Sequence, residues 1–301
     1  MTESACDVRG RSGGRVTEHA SPVRPEDVED EDLAVLLTHV GADRRPDQRA
    51  ALARSVDTRA FLEAGLELLR VDLLEHSGPN HEQAAPVSAL FRGLSRHKLV
   101  TKAAELRDQG RLPGTTASDG QYRDRWRYSE RYNEDLLAYL FRISPYRRHI
   151  SGIWVALDSD LSGVSLGELI DAISSAEIDR TATDVFIALQ SVLQRALPKH
   201  PKVVEYAAAT YREILPMWAA VYEHIAARYG VTLRSDYTWL DVAEIFNTVV
   251  EGAASRVLVG GPTQLSAGAN VLGAAIRLML PSLATSVSVS IDEMYPVADP
   301  A

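Results

Sequence analysis

Several stretches of this chain carry residue types at spacings that could do chemistry. Gly163-Val164-Ser165-Leu166-Gly167 has the G-x-S-x-G spacing of a serine nucleophile elbow. That chemistry needs a strand before the serine, a helix after it, and a parallel sheet that brings an acid and a histidine alongside. The residues leading to Ser165 (DSDLSGVS) read as a polar turn, and no sheet is expected, so a hydrolase using Ser165 is the remote alternative. Ser165 reads instead as a helix N-cap, with Glu168 three residues on to complete a capping box. Ser95-Arg96-His97-Lys98 matches S-x-x-K but lacks the companion motifs of penicilloyl enzymes. Gly260-Gly261-Pro262 looks superficially like a nucleotide loop, yet it reads more simply as a helix stop followed by proline at a helix start. His76 and His81 straddle a loop without a third ligand at metal-like spacing. No catalytic residue, metal or cofactor is expected.

The remaining chemistry is cationic. The chain has a formal charge of −9, which by itself argues against a nucleic-acid partner. Within 92–127, however, Arg92, Arg96, Lys98, Lys102, Arg107, Arg111, Arg123, Arg125 and Arg127 face only Glu105, Asp108, Asp119 and Asp124. The segment is therefore +5 and the rest of the chain −14. A basic segment on an acidic body suits a phosphate backbone; a solvated helical face is the plainer reading of the same charges.

The elements that must position these residues are helical. Residues 1–30 are rich in Gly, Ser, Arg, Glu and Asp and are expected to be disordered. A short helix is expected over 31–40, and a helix or arm over 44–54. In 57–75 the residues Phe61, Leu62, Leu66, Leu69 and Leu73 recur at spacings of three and four, which defines one buried helix face. Ser77-Gly78-Pro79-Asn80 ends that helix, and a short segment near 86–94 follows. Further helices are expected over 95–109, with Ser95 as N-cap and Gly110 as stop, over 118–127, and over 129–142, with Ser129 placed to cap. Beyond Pro145 the pattern gives helices at about 146–157, 165–178, 181–197, 201–229, 236–258 and 263–284, with a bend at Pro216. No series of alternating strands and no repeat is present, so the fold class is all-α.

Residues 98–141 thus read as three short helices joined by tight turns. Ser118 can cap the middle one. Tyr122 and Trp126, four apart, share a face and can anchor it. Gln121, Arg123, Asp124 and Arg127 are left outside. A helix-turn-helix works in this way, with a packed inner face and long hydrogen-bonding side chains entering the major groove. The run SDGQYRDRWRYSERYNEDLL from Ser118 to Leu137 resembles the recognition helix and following helix of TetR-family transcriptional regulators. LDVAEIF from Leu240 to Phe246, followed by Val250, Gly252 and Arg256, is similar to that family's penultimate helix. The two similarities span about 58–284. The chain departs from the family pattern in the intervening 77–95 stretch, in the longer turn that carries Pro113, and in Asp119 and Asp124.

The resemblance implies a homodimeric DNA-binding regulator under the control of a small apolar effector. Its three-helix head would be 57–142, preceded by an extension over 31–56. Gln121 and Arg123 would read the groove, and Ser118, Lys98, Lys102, Arg125 and Arg127 would hold phosphate. Residues 146–285 would form the ligand-binding and dimerisation body, pairing with a second copy through about 236–258 and 263–284, and 286–301 would be a tail. Trp154, Phe186, Tyr206, Tyr211, Trp218, Tyr222, Trp239 and Phe246 are the aromatic candidates for the pocket, although aromatics at helical spacing also build ordinary cores. A helical small-molecule-binding or interaction protein that binds no DNA is the alternative. No stretch approaches the roughly 20 uninterrupted apolar residues of a membrane span. No apolar run in 1–30 resembles a signal peptide, and Cys6 is the single cysteine, so a cytoplasmic protein is expected.

Overall fold

A computed structural model describes residues 24–75, 91, 93–159, 161–266 and 270–286, and the chain is mostly helical, as the apolar periodicity requires. After a 3-10 turn at Pro25–Asp27 come α1 (Leu33–Leu36), α2 (Pro46–Ala53) and α3 (Val56–Arg70), which runs into a π turn at Val71–Glu75. Then follow α4 (Arg96–Asp108), α5 (Asp119–Arg125), α6 (Ser129–Leu140), α7 (Ser144–Asp158) and α8 (Leu166–Thr183). The chain continues with α9 (Val185–Ala196), α10 (Pro201–Tyr229), α11 (Trp239–Leu258) and α12 (Val271–Leu283). Two short strands, β1 (Thr232–Leu233) and β2 (Ala284–Ser286), pair antiparallel after α10 and α12, a contact too brief to leave an alternating pattern in the sequence. The expected tail over 1–23, the stop at 77–80, His76 and His81, most of the 86–94 segment, and 287–301 lie outside the described residues.

Caps set most helix limits. Ser55 Oγ accepts from Thr58 N (3.3 Å) at the start of α3, and Ser95 Oγ from Lys98 N (3.4 Å) at the start of α4. Thr238 with Asp241 and Asn270 with Leu272 fix the starts of α11 and α12 later than apolar periodicity alone suggests. At the end of α4 the backbone turns left-handed at Gly110 (φ 75°). Gly110 N then donates to Arg107 O (2.8 Å) and Arg111 N to Leu106 O (3.0 Å), a Schellman stop. The same pair of bonds closes α11 at Gly260 and Gly261, and eight residues separate Pro262 from the start of α12. α10 is continuous through Pro216, whose ring lies on the exposed side.

Two expectations for the N-terminal region change. The 31–40 segment is helical for four residues only, because Asp135 captures the N–H groups of Thr38 (2.9 Å) and His39 (3.0 Å) and draws the chain off the helix. Residues 24–30 are not a loose tail: Asp30 pairs with Arg148 and with Arg59 (3.2 Å).

The largest apolar cluster is organised by α3. Phe61, Leu62 and Leu69 are fully buried and meet Leu99 and Leu106 of α4, Tyr122 of α5, and Leu136 and Leu140 of α6. Leu33, Leu37, Val40 and Ala53 belong to the same cluster, so 31–56 is built into the core and is not a separate arm. Leu189 and Leu193 of α9 and Val203 of α10 close it. Smaller clusters join α7, α8, α10, α11 and α12. Arg277, 6% exposed, ties α12 to α8 through Gly167 O (2.9 Å) and Asp171.

Asp135 is buried in the large cluster, where it accepts from Thr38 N, His39 N and Trp126 Nε1 (2.8 Å). Burial pushes its carboxyl above the ordinary aspartate value, although the three donors favour the charged form. Asp135→Leu leaves the buried Trp126 Nε1 without an acceptor, at about 1–3 kcal/mol, and also breaks the part-buried bonds from Thr38 N and His39 N. The thermal midpoint should fall by several degrees, and by clearly more than for Trp126→Phe, which breaks one of the three bonds. Equal midpoints for the two variants in calorimetry would show that the carboxylate holds nothing together.

Candidate functional site

α5 is seven residues long, too short to hold its shape alone, and the structure clamps it at both ends. At its start Ser118 Oγ accepts from Gln121 N (3.3 Å) while Gln121 Oε1 accepts from Ser118 N (2.9 Å), a reciprocal capping box. The loop just before it is caught by Asp57 of α3, whose carboxylate accepts from Thr115 Oγ1 (2.7 Å), Thr116 N (2.7 Å) and Ala117 N (3.0 Å). At its other end Arg125, 6% exposed, donates to Thr58 Oγ1 (2.7 Å), Ser55 Oγ (2.8 Å) and Gln121 O (2.9 Å), and lies 3.7 Å from Asp57. Gly41 N of the α1–α2 connection bonds Arg125 O (2.9 Å).

The rings beneath α5 complete the mount. Tyr122 and Trp126 are 4% and 1% exposed and meet Phe61 edge-on, with centroids at 5.5 and 6.1 Å. Trp126 also meets Tyr132 edge-on at 5.0 Å, and Tyr132 OH donates to Phe61 O (2.8 Å). Gly65 allows this close approach of α3 and α6, since a Cβ there would lie 2.0 Å from the Tyr132 hydroxyl.

The expected surface residues divide. Arg123 is exposed, with 62% of its side chain open, and it pairs with Asp119 (2.9 Å), which also holds Arg96. Arg127 is exposed, 5.7 Å from the Tyr128 ring, and Lys98 and Ser118 are exposed too. Lys102 is half-buried and bonds Glu105. Gln121 spends its side chain on the capping box and on Thr116 Oγ1. Arg125 is a correction. It was expected to meet phosphate, but it is buried, because its place on the inner face points it at Asp57 and the α3 hydroxyls. Sequence reasoning also missed Arg44 and Arg131. They line a notch beside α5 with Arg123 and Arg127, and Arg44 pairs with Asp124. The surface can donate several guanidinium hydrogen bonds to anions, moderated by Asp43, Asp119 and Asp124.

Two cavities lie among α7–α12. The first has a volume of about 90 Å³ and is almost wholly apolar. Trp218, Tyr222, Trp239 and Phe246 line it with Leu169 and Ile173. The second, about 130 Å³, is half polar and is lined by Tyr211 together with Tyr146, Glu177, Arg180 and Gln190. Trp154, Phe186 and Tyr206 stand outside both. Trp154 meets His224 at 5.0 Å, Phe186 lies 4.0 Å under Arg142, and Tyr206 lies 6.3 Å from Phe141. α9 and the first turns of α10 face the large core, so aromatics there fill it. Helical spacing alone does not say which neighbour a face will meet. The polar α8 residues Ser174, Glu177 and Arg180, spaced by three where apolar residues would be expected to face inward, were the signal missed. Ser165 caps α8, with Glu168 N donating to Ser165 Oγ (3.2 Å) and Ser165 N to Glu168 Oε2 (2.8 Å).

Compared with family models, curated proteins and solved structures, the chain matches none.

Burial opposes ionisation of Asp57, but the bonds from Thr115, Ala117 and Thr116 and the charge of Arg125 prevail and hold its carboxyl below the ordinary aspartate value. Its contribution is therefore complete above the unfolded value, near pH 4, and is lost as pH falls through the lower folded value. Between pH 6 and pH 3 the thermal midpoint of Asp57→Asn should fall less steeply than that of the unsubstituted chain. Parallel slopes would mean that Asp57 plays no part in the acid response.

Proposed function

We propose that this chain is a homodimeric, helix-turn-helix DNA-binding regulator whose affinity for DNA is set by a small molecule, as its resemblance to TetR-type regulators implies. The observation that carries the reading is the mounting of α5. A seven-residue helix is held at both ends and from beneath, and it and the turn that follows it present Arg123 and Arg127 outward beside the exposed first turn of α4. In this reading α4 and α5 are the two helices of the motif, Arg123 enters the major groove, and Lys98, Ser118 and Arg127 contact phosphate. Arg44 and Arg131 extend the phosphate surface. Gln121, engaged in the cap, fixes the register of the helix.

α7–α12 would form the effector-binding bundle, with the aromatic cavity as the effector site. Pairing of two copies through α11 and α12 is supported by the apolar character of α12, where Leu278 is 73% exposed. A link between the two parts is at hand. Gln190 Nε2 and Thr210 Oγ1, both lining the polar cavity, donate to Leu140 O (2.7 Å) and Phe141 O (3.3 Å) at the end of α6. A ligand that shifts these side chains shifts the end of α6, and the two affinities are then reciprocally coupled. The chain is proposed to be cytoplasmic and not an enzyme. Among the described residues no helix is long and apolar enough to cross a membrane.

A second reading, a helical ligand-binding protein without DNA recognition, is favoured by the pairing of Arg123 and Arg96 with Asp119 and of Arg44 with Asp124. Titration of mixed genomic fragments separates the two. DNA binding should weaken steeply with salt, and Arg123→Ala with Arg127→Ala should abolish retention of selected fragments in gel shift while circular dichroism and sedimentation stay unchanged. Undiminished retention removes α5 from the interface. No salt-sensitive binding by the parent chain leaves the second reading.

A further inference from the structure

The apolar and polar cavities are neighbours: Glu177, Trp218, Asn247 and Val250 line both, so only these side chains stand between the two spaces. Each space also holds a polar group left without a hydrogen bond. Ser174 Oγ is fully buried against the apolar space, and Arg180 Nη2 is fully buried at the polar one. Buried donors without acceptors are disfavoured and are commonly satisfied by a ligand or by water.

The neighbours of Arg180 define what can satisfy it. Its Nη1 lies 3.8 Å from Glu177 and its Nε 3.9 Å from Asp184, while the guanidinium sits 5.2 Å from the Tyr146 ring centroid. The two carboxylates neutralise its charge but leave Nη2 pointing at nothing. Arg180 and Arg195 are matched in the polar space by Glu177 and Glu251, so a formally charged head of either sign meets a like charge there. A neutral acceptor does not. Beyond the shared wall, Trp218 stacks on Tyr222 (5.5 Å, 23°) and the lining becomes apolar.

We propose that the two cavities take one ligand, an uncharged amphiphile with an aromatic or aliphatic body in the apolar space and a carbonyl-type acceptor on Arg180 Nη2. This rests on the reading of α7–α12 as an effector-binding bundle and names the chemistry of that effector.

The test uses the full-length chain and the uncharged dye N-phenyl-1-naphthylamine, whose fluorescence reports entry into the apolar space. Four competitors share one body: butylbenzene, 4-phenylbutanamide, 4-phenylbutanoate and 4-phenylbutylamine. The amide should displace the dye at a concentration about tenfold lower than the other three need. That ratio should collapse in Arg180→Met and also in Arg180→Lys, which keeps the cation while removing the Nη2 donor; thermal melts report whether each variant is folded. Dye binding with no preference for the amide, or a preference that survives both variants, overturns the head-group assignment and leaves the apolar effector site standing. Preference for the carboxylate or the amine overturns the neutrality of the head. Failure of the dye and all four compounds to bind overturns the effector-site reading itself, and this assignment with it.

Discussion

The structure around α5 depends on one buried carboxylate. Asp57 sits in the first turn of α3, where the free N–H end of the helix favours negative charge, and from there it gathers Thr115, Thr116 and Ala117. Those bonds decide where the loop after α4 ends and where α5 begins. The same carboxylate faces Arg125 at the far end of α5, so one group indexes both ends of the helix. Burying an ion pair is costly unless the remaining donors and acceptors are satisfied. Here Thr58, Ser55 and the Gln121 carbonyl satisfy Arg125. A short helix whose own hydrogen bonds could not keep it folded is thereby given one position.

The second constraint is the joint at the end of α6. The carbonyls of Leu140 and Phe141 have no helical partner and are taken up by Gln190 of α9 and Thr210 of α10. Tyr146 OH bonds Gln190 Oε1 (2.6 Å), and Glu31 accepts from Ser144 N (2.8 Å) on the other side. The lining of the polar cavity and the anchoring of α6 are therefore the same residues. The bond from Gln190 to Leu140 O is buried, so breaking it removes a partner that this carbonyl does not readily replace.

Part of this was legible in the chain. Tyr122 and Trp126 at a spacing of four, next to Phe61 in an independently periodic helix, are enough to place rings under α5. Ser95, Ser118 and Ser165 are legible as caps because a capping residue acts within three positions of itself. Ser129, placed by the same logic to cap α6, is instead its first helical residue, and the start of α6 carries no side-chain cap bond. Arg125 looked like any other member of a basic run. A guanidinium is read as exposed until a buried carboxylate is known to face it, and Asp57 is 68 positions away. Trp154, Phe186 and Tyr206 were indistinguishable from Trp218 and Phe246 by the same logic, since an aromatic at helical spacing has an inward face whether it meets a core or a void.

What the sequence determined by itself is local: the helical class, the caps and stops, and which face of each helix turns inward. Periodicity, capping and left-handed glycine turns are settled within a few residues, by interactions that need no distant partner. What tertiary structure alone decided is which buried faces meet. It shortened the helix after Leu33 by giving Thr38 and His39 a better acceptor in Asp135, withdrew Arg125 from the surface, and turned Ser174, Glu177 and Arg180 toward a cavity. Each of these outcomes is a competition between partners far apart in the chain, and it is decided by the burial that folding imposes on them.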